Sequence, residues 1–150
     1  MRALIQRVSA ASVRVDGETI ASIDSGMVVL LGIGDDDDTT DLDWLVGKVA
    51  RLRIFDDEDG VMNWSLNPEH HQVIVVSQFT LHASTKKGNR PSYIRAARPE
   101  KAQPMYLEFV RALTHESGCT VQTGSFGANM QVDLVNNGPV TIWIDSKNRE

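Results

Sequence analysis

The stretch that decides the fold is Val73-Ile74-Val75-Val76-Ser77-Gln78-Phe79-Thr80-Leu81. Its first four residues, all apolar and β-branched, predict a buried strand. The second half turns polar and leads into the basic segment Lys86-Lys87-Gly88-Asn89-Arg90-Pro91. Many α/β proteins present a site where a buried strand ends in hydroxyl and amide groups. A strand that simply ends in a solvated loop fits the pattern equally well, so this segment alone leaves both interpretations open.

Length and composition predict an ordinary globular protein. The 150 residues suffice for one core, and we predict a single domain over residues 1–150. No apolar run approaches the ~20 residues of a membrane span, and the apolar start is too short for a signal peptide. Cys119 is the single cysteine, which excludes an internal disulfide. These features predict a cytoplasmic protein without membrane association.

Charge is distributed unevenly along the chain. The formal net charge is −5, which argues against extended contact with nucleic acid phosphates. Between Glu69 and Glu100, however, there is no acidic residue. Five basic residues lie there: Lys86, Lys87, Arg90, Arg95 and Arg98. The segment fits either a solvated loop or a small anion site that touches few phosphates, as the end of a nucleic acid requires.

Hydrophobic periodicity predicts an α/β protein of largely antiparallel or mixed β-sheets with about two flanking helices. Strands are expected over 2–8, 11–16, 18–23, 26–34, 61–66, 72–81, 120–123, 130–136 and 139–145. Helices are expected over about 40–52 and from Pro99 to a C-cap at Gly118. The acidic run 35–38 suits the start of the first helix, and it lacks the pattern of a calcium-binding loop.

The motifs of side-chain catalysis are missing from the sequence. It has no Gly-x-Ser-x-Gly, no His-Glu-x-x-His and no phosphate-binding glycine loop. Of the four histidines, His70, His71, His82 and His115, only His82 lies near the polar strand end. Any hydrolysis would therefore depend on backbone amides, on positioning or on the substrate itself.

A second informative segment is Asn137-Gly138-Pro139-Val140-Thr141. Proline cannot donate to a sheet ladder, so Pro139 must lie at a strand start or edge. One interpretation is an Asn-Gly turn that precedes a strand. The other is a cis Gly138–Pro139 bond, which would turn two carbonyl oxygens to one side as rigid acceptors. The pattern alone does not decide between them.

Together, Ser77–Leu81 and Asn137–Thr141 resemble the paired signature of the D-aminoacyl-tRNA deacylase family. The segments Ala3–Val8, Lys87–Ser92 and Phe126–Met130 are also similar to that family, so the resemblance covers essentially the whole chain. It implies a homodimer with active sites at the subunit interface and with no metal or other cofactor. The implied substrate is the ester that joins a D-amino acid, or glycine mischarged on tRNA(Ala), to the 3′-terminal adenosine of tRNA.

The resemblance also implies how the chirality of the amino acid is read. Gly138-Pro139, cis in the family, would enter the pocket of the partner subunit, and its carbonyls would contact the amino group and the chiral centre. Arg7 would brace this motif. A rigid backbone element in the space of an L side chain excludes L-substrates and lets glycine pass.

The pocket itself would be formed by residues of the strand end. The resemblance assigns its lining to Ser77, Gln78, Phe79 and Thr80, with the Phe79 N–H as an oxyanion donor. Phe126 and Met130 would hold the terminal adenine. Asn137 and Ser84 stand where the family commonly has Asp, and we expect them to tune activity.

Two questions stay open at this point. Thr80 is an alternative nucleophile, because on a strand Gln78 and Thr80 share one face, but no base is evident. The alternative to a threonine nucleophile is a mechanism in which the neighbouring ribose 2′-OH of the tRNA serves as the proton relay. Two further functions also compete: a non-catalytic protein that binds the tRNA end, and an esterase for small D-amino-acid esters.

Overall fold

The computed structural model describes residues 1–149 and has the predicted α/β class: a mixed sheet of six strands, a separate two-stranded sheet and two helices. The strands are β1 (Arg2–Val15), β2 (Glu18–Ile23), β3 (Gly26–Gly32), β4 (Phe55–Asp56), β5 (Met62–Trp64), β6 (Gln72–Ser77), β7 (Thr120–Thr123) and β8 (Gln131–Asp145). The helices are α1 (Thr39–Ala50) and α2 (Pro99–Ser117), and a 3₁₀ turn spans Phe79–His82. Within residues 1–149, neither helix combines the length and apolar character of a membrane span.

Strand β1 pairs with three other strands, all antiparallel. Residues 2–8 pair with β3, residues 11–15 pair with β2, and the opposite edge pairs with β8. The predicted break after Val8 is wrong, because β1 continues through two register shifts against β8. Such irregularities let a strand bend and twist without leaving its sheet.

The predicted strands 130–136 and 139–145 are likewise one strand, β8. Gln6 pairs with Thr141, and Val8 pairs with Asn136. Arg7 alone therefore lies opposite the four residues 137–140. These surplus residues must leave the plane of the ladder, and we call them the 137–140 bulge.

The centre of the sheet is formed by β3 and β6, which run parallel as neighbours. Apolar side chains are buried on both of their faces, as the continuous hydrophobic runs predicted. Val29 and Val75 face the core that includes both helices, whereas Val28 and Ile74 face a second cluster. Because both of their faces are covered, the two strands form a rigid base for the chain segments that follow their ends.

Two strand ends differ from the prediction. Strand β6 ends at Ser77, not at residue 81, and β3 ends at Gly32, not at residue 34. The Gln78 N–H donates to Leu31 O at 2.7 Å, after which Leu81 N–H donates to Gln78 O at 3.2 Å. The chain thus exchanges ladder bonds for local turn bonds directly after Ser77.

The acidic run before α1 has a structural role. Asp38 is the N-cap, and it forms a capping box with Asp41. Asp37 is buried, pairs with the Met1 ammonium at 2.5 Å and accepts a hydrogen bond from Gly34 N–H at 2.6 Å. Asp38 therefore stabilises the start of this helix, and Asp37 fixes the N-terminus and Gly34 beside it.

Asp41 makes stability depend on pH. Burial raises the pKa of its carboxyl group, but hydrogen bonds from Lys147, Ser146 and the Asp38 N–H outweigh this and lower the pKa to about 2. The unfolded value is higher, at 3.8, so the carboxylate stabilises the fold above pH 4, and this contribution is lost as pH falls from 4 to 2.

We therefore expect Asp41→Asn to reduce the free energy of unfolding by about 2 kcal/mol at pH 7. The difference from the wild type should shrink towards zero by pH 2. Urea unfolding at pH 7, 4 and 2 measures both effects. Asp43→Asn, at an exposed position of the same helix, is the control and should show neither. A difference for Asp41→Asn that is independent of pH would contradict the assignment.

Candidate functional site

Three parallel strands end at the same edge of the sheet. Leu31 of β3 pairs with Ser77 of β6, and Val75 of β6 pairs with Thr123 of β7. The segments that follow these ends and the first turn of α2 enclose a cavity of about 360 Å³, which we call the site cavity. It is lined by Leu31, Ile33, Ser77, Gln78, Phe79, Tyr93, Ala96, Ala97, Arg98, Pro99, Ala102, Phe126 and Gly127. Ligands of α/β sheets commonly bind outside such carboxyl ends.

Four of the sequence-predicted site residues meet at this cavity: Ser77, Gln78, Phe79 and Phe126. Ser77 is the last residue of β6, and Gln78 and Phe79 follow it directly. Phe126 follows β7 and packs against the Tyr106 ring, with 5.8 Å between centroids. The cavity therefore collects polar groups from one strand end and an aromatic side chain from the next.

Thr80 and Met130 do not line the site cavity. The expectation that Gln78 and Thr80 share a strand face is wrong, because Thr80 belongs to the 3₁₀ turn. Its hydroxyl oxygen accepts a hydrogen bond from Gln78 Nε2. Met130 packs instead against the second apolar cluster, which includes Val76.

The backbone at the cavity offers a hydrogen-bond donor. Within residues 1–149, the Phe79 N–H has no acceptor, whereas the neighbouring Gln78 N–H bonds to Leu31 O. The first turn of α2, at Arg98 and Pro99, also lines the cavity and brings the positive end of the helix dipole to it. Both features favour negative charge at this position.

Tyr106 supports two parts of the cavity wall, Phe126 and the end of β6. Its hydroxyl donates to Val75 O at 2.7 Å, and burial raises the pKa of the phenol to about 12. The side chain is therefore neutral at physiological pH, and its role is to fix Phe126 and the end of β6 in relation to each other.

Residues 137–139 of the 137–140 bulge are exposed, whereas Val140 is buried, and the Gly138–Pro139 peptide bond is cis. Arg7 Nε donates to Asn137 O at 3.0 Å. Asn136 binds the other end of the bulge, because its Oδ1 accepts from Val140 N–H at 2.8 Å. Both ends of the bulge are thus fixed by side chains of the sheet.

Arg7 is a buried guanidinium with three acceptors. Besides Asn137 O, its Nη1 donates to Ile54 O and to Asp56 Oδ1, both at 2.8 Å. Together with Asn137 it borders a separate cavity of about 810 Å³. Neither Arg7, Gly138 nor Pro139 is among the residues that line the site cavity, so one subunit does not bring its bulge into its own cavity.

The histidines lie away from the site cavity. His82 is buried, which lowers the pKa of its ring, and its Nε2 has no hydrogen-bond partner within residues 1–149. It borders another cavity, together with Met1 and Asp37. His71 stacks on the Phe55 ring at 3.7 Å. Among the described residues, no group of three or more His, Cys, Asp or Glu is arranged to hold a metal ion.

Several cavity residues were not predicted from the sequence. Leu31 and Ile33 look like ordinary core residues, and only the ends of β3 and β6 show that they reach the cavity. Tyr93 carried a usable signal, because it is an aromatic residue inside the segment without acids. Arg98 also carried a signal, because it is one of the five basic residues in that segment.

Comparison with known proteins gives a likeness over the full length. The sequence model of the D-Tyr-tRNA(Tyr) deacylase family matches residues 4–145. The chain is 60% identical to the D-aminoacyl-tRNA deacylase of Flavobacterium johnsoniae and 56% identical to that of Bacteroides fragilis. Both alignments span 150 residues and 100% of each protein.

Two solved structures are similar to this chain in fold. A chain described as c-Myc DNA Unwinding Element Binding Protein aligns with a TM-score of 0.90 and 40% identity, over 97% of this chain and 98% of that one. A chain described as a probable eukaryotic D-amino acid tRNA deacylase aligns with a TM-score of 0.79 and 17% identity, over 95% and 97%. The second likeness concerns the fold alone.

Proposed function

The chain belongs to the D-Tyr-tRNA(Tyr) deacylase family, and from this premise we propose that it hydrolyses the ester bond of D-aminoacyl-tRNA and leaves L-aminoacyl-tRNA intact. The observation that carries this proposal is the site cavity, where the Phe79 N–H, which has no acceptor among residues 1–149, lies beside polar side chains of a rigid strand end. Such tRNA substrates are cytoplasmic, and we infer the same location for the protein.

Ester cleavage here relies on the backbone. The Phe79 N–H stabilises the oxyanion that forms when water attacks the ester carbonyl, and one such donor contributes about 10²–10³ in rate. The terminal ribose 2′-OH relays the proton to the leaving 3′ oxygen. Phe126, which lines the site cavity, holds the terminal adenine together with Met130, whose sulfur lies beside Gly124 after the end of β7. No metal or cofactor is part of this mechanism.

The geometry around Thr80 favours this mechanism over a threonine nucleophile. Its hydroxyl is bonded to Gln78 Nε2 and lies outside the lining of the site cavity. We expect Thr80→Ala to keep most of its single-turnover rate on D-aminoacyl-tRNA, within about tenfold of the wild type. Rapid-quench measurement of the chemical step tests this, with Thr80→Ser as control. A loss above about 10³-fold in Thr80→Ala that Thr80→Ser does not share would establish the nucleophile.

The protein acts as a homodimer in this proposal, and each 137–140 bulge enters the site cavity of the partner subunit. Three observations support the arrangement: residues 137–139 are exposed, the ends of the bulge are fixed by Arg7 and Asn136, and the bulge lies outside its own cavity. In the partner's cavity, the carbonyls of Gly138 and Pro139 contact the amino group of the substrate.

Chirality is read by exclusion. Both enantiomers carry the same groups, so only the placement of the protein around the chiral centre can distinguish them. A fixed backbone segment in the space of an L side chain rejects L-aminoacyl-tRNA. Glycine has no side chain to exclude, so glycyl-tRNA, including glycine mischarged on tRNA(Ala), is also a substrate.

Deacylation of matched D-tyrosyl-, L-tyrosyl- and glycyl-tRNA by the purified protein tests the function. We expect release of D-tyrosine and glycine and no release of L-tyrosine above the spontaneous rate. Protection of all three esters would identify a non-catalytic protein that binds the tRNA end. Cleavage of small D-amino-acid esters as fast as tRNA, without regard to the 2′-OH, would identify an esterase of another class.

A further inference from the structure

We propose that the ring pair Phe79–Tyr93 and the adjacent basic loop, residues 84–92, form a subsite for the nucleotide that precedes the terminal adenosine. This inference rests on the proposed function, because it assumes that the site cavity holds the 3′ end of an RNA. It adds a second recognition element, at the border of the cavity, that reads the RNA strand and not the amino acid.

The aromatic pair has the properties of a stacking platform. Phe79 is 56% exposed and Tyr93 is 38% exposed, and their rings meet edge to face with 5.0 Å between centroids. Both residues also line the site cavity, so they stand at the border between cavity and solvent. Aromatic faces that stay open to water beside a cavity can each accept a base, and such stacking tolerates any base.

The charge around the platform suits a phosphate backbone. Lys86, Lys87 and Arg90 in the basic loop are exposed, as are Arg95 and Arg98 on the other side of Tyr93. No acid interrupts residues 70–99, while the remaining residues carry all twenty acids of the chain. The segment that carries the platform therefore has only positive formal charges, which attract phosphate.

The basic loop is tied to the platform by its backbone. Ser84 N–H donates to Ser92 O at 2.8 Å, and Ser92 N–H donates to Ser84 O at 2.9 Å. These bonds close the loop directly before Tyr93. An RNA strand whose terminal adenosine occupies the site cavity thus passes the two rings first and the lysines next. This order allows a base to stack on the rings and one or two phosphates to contact the lysines.

Tyr93→Ala tests the platform with two substrates, D-tyrosyl-tRNA and the D-tyrosyl ester of adenosine alone. We expect kcat/KM on the tRNA to fall about 10- to 100-fold further than kcat/KM on the adenosine ester, since only the tRNA has a base to stack. Tyr93→Phe keeps the ring and should retain the wild-type ratio. Ile94→Ala is the control, because Ile94 is 87% exposed and does not line the site cavity.

Binding of an uncharged RNA hairpin that ends in CCA provides a readout independent of catalysis. Tyr93→Ala should weaken it by the same factor, and Lys86→Gln with Lys87→Gln should flatten its salt dependence by about one to two phosphates. Equal losses on both substrates, or unchanged binding of the hairpin in Tyr93→Ala, would overturn the subsite. If the wild type cleaves neither ester, the proposed function fails, and the hairpin still decides the subsite.

Discussion

Replacing Gly138 with alanine is expected to reduce deacylation of D-aminoacyl-tRNA by about 100-fold or more, since a displacement of about 1 Å at a site is enough for such a loss. Gly138 has a φ of +128°, where a side chain is strained. A Cβ there would lie 2.8 Å from Val140 Cγ2 and 3.1 Å from Arg7 Nη2. The bulge must therefore shift, and its carbonyls lose their positions.

Gly60→Ala is the matched control for this variant. Gly60 is also exposed, with a φ of +74°, but a Cβ there meets nothing within 4 Å. It should retain full activity, although its backbone is strained in a similar way. Steady-state deacylation and thermal unfolding of both variants separate the two effects. A Gly138→Ala enzyme with wild-type turnover would remove the bulge from the mechanism.

Arg7→Lys is the second variant with a large expected effect, again about 100-fold in turnover. A lysine ammonium cannot reproduce the planar set of donors with which Arg7 binds Asn137 O, Ile54 O and Asp56 Oδ1. The bulge loses its bond to the sheet, and the buried Ile54 carbonyl loses a charged donor. We expect a loss of stability of about 1.5–3 kcal/mol as well.

Arg14→Lys is the matched control, because it makes the same chemical change at another arginine. Arg14 lies on the same strand and pairs with Asp133 at 3.0 Å, but both side chains are largely exposed. Exposed pairs contribute little, so Arg14→Lys should change neither turnover nor stability by much. The quantity to compare between the two variants is the ratio of turnover on D-aminoacyl-tRNA to turnover on glycyl-tRNA. If Arg7→Lys unfolds at the wild-type urea concentration and turns over normally, Arg7 does not support the bulge.

The sequence predicted the buried strands and the helix starts well, because local patterns determine them. The continuous apolar runs of β3 and β6 and the capping acid Asp38 are signals of this kind. What it missed depends on pairing between distant segments. Nothing in residues 2–16 shows that β1 continues as one strand through its register shifts against β8, and nothing local shows that Arg7 lies opposite residues 137–140.

The candidate site was predicted only in part, because local patterns mark some of its residues and pairing between distant segments places the others. The polar residues after the strand were found because they follow an apolar run directly. Thr80 was misplaced because strand periodicity was continued past Ser77, where turn bonds replace ladder bonds. Tyr93 was not identified, although it is an aromatic residue in the segment without acids, because only the fold shows that it contacts Phe79.

Mixing two inactive variants tests the central claim most directly. Gly138→Ala keeps an intact cavity, and Gln78→Trp fills the cavity but keeps an intact bulge. After unfolding and refolding at equal amounts, half of the dimers are mixed, and each has one intact site. The account predicts recovery of about a quarter of the wild-type activity from a symmetric dimer. Mixed dimers without any activity would show that cavity and bulge do not act across the subunits.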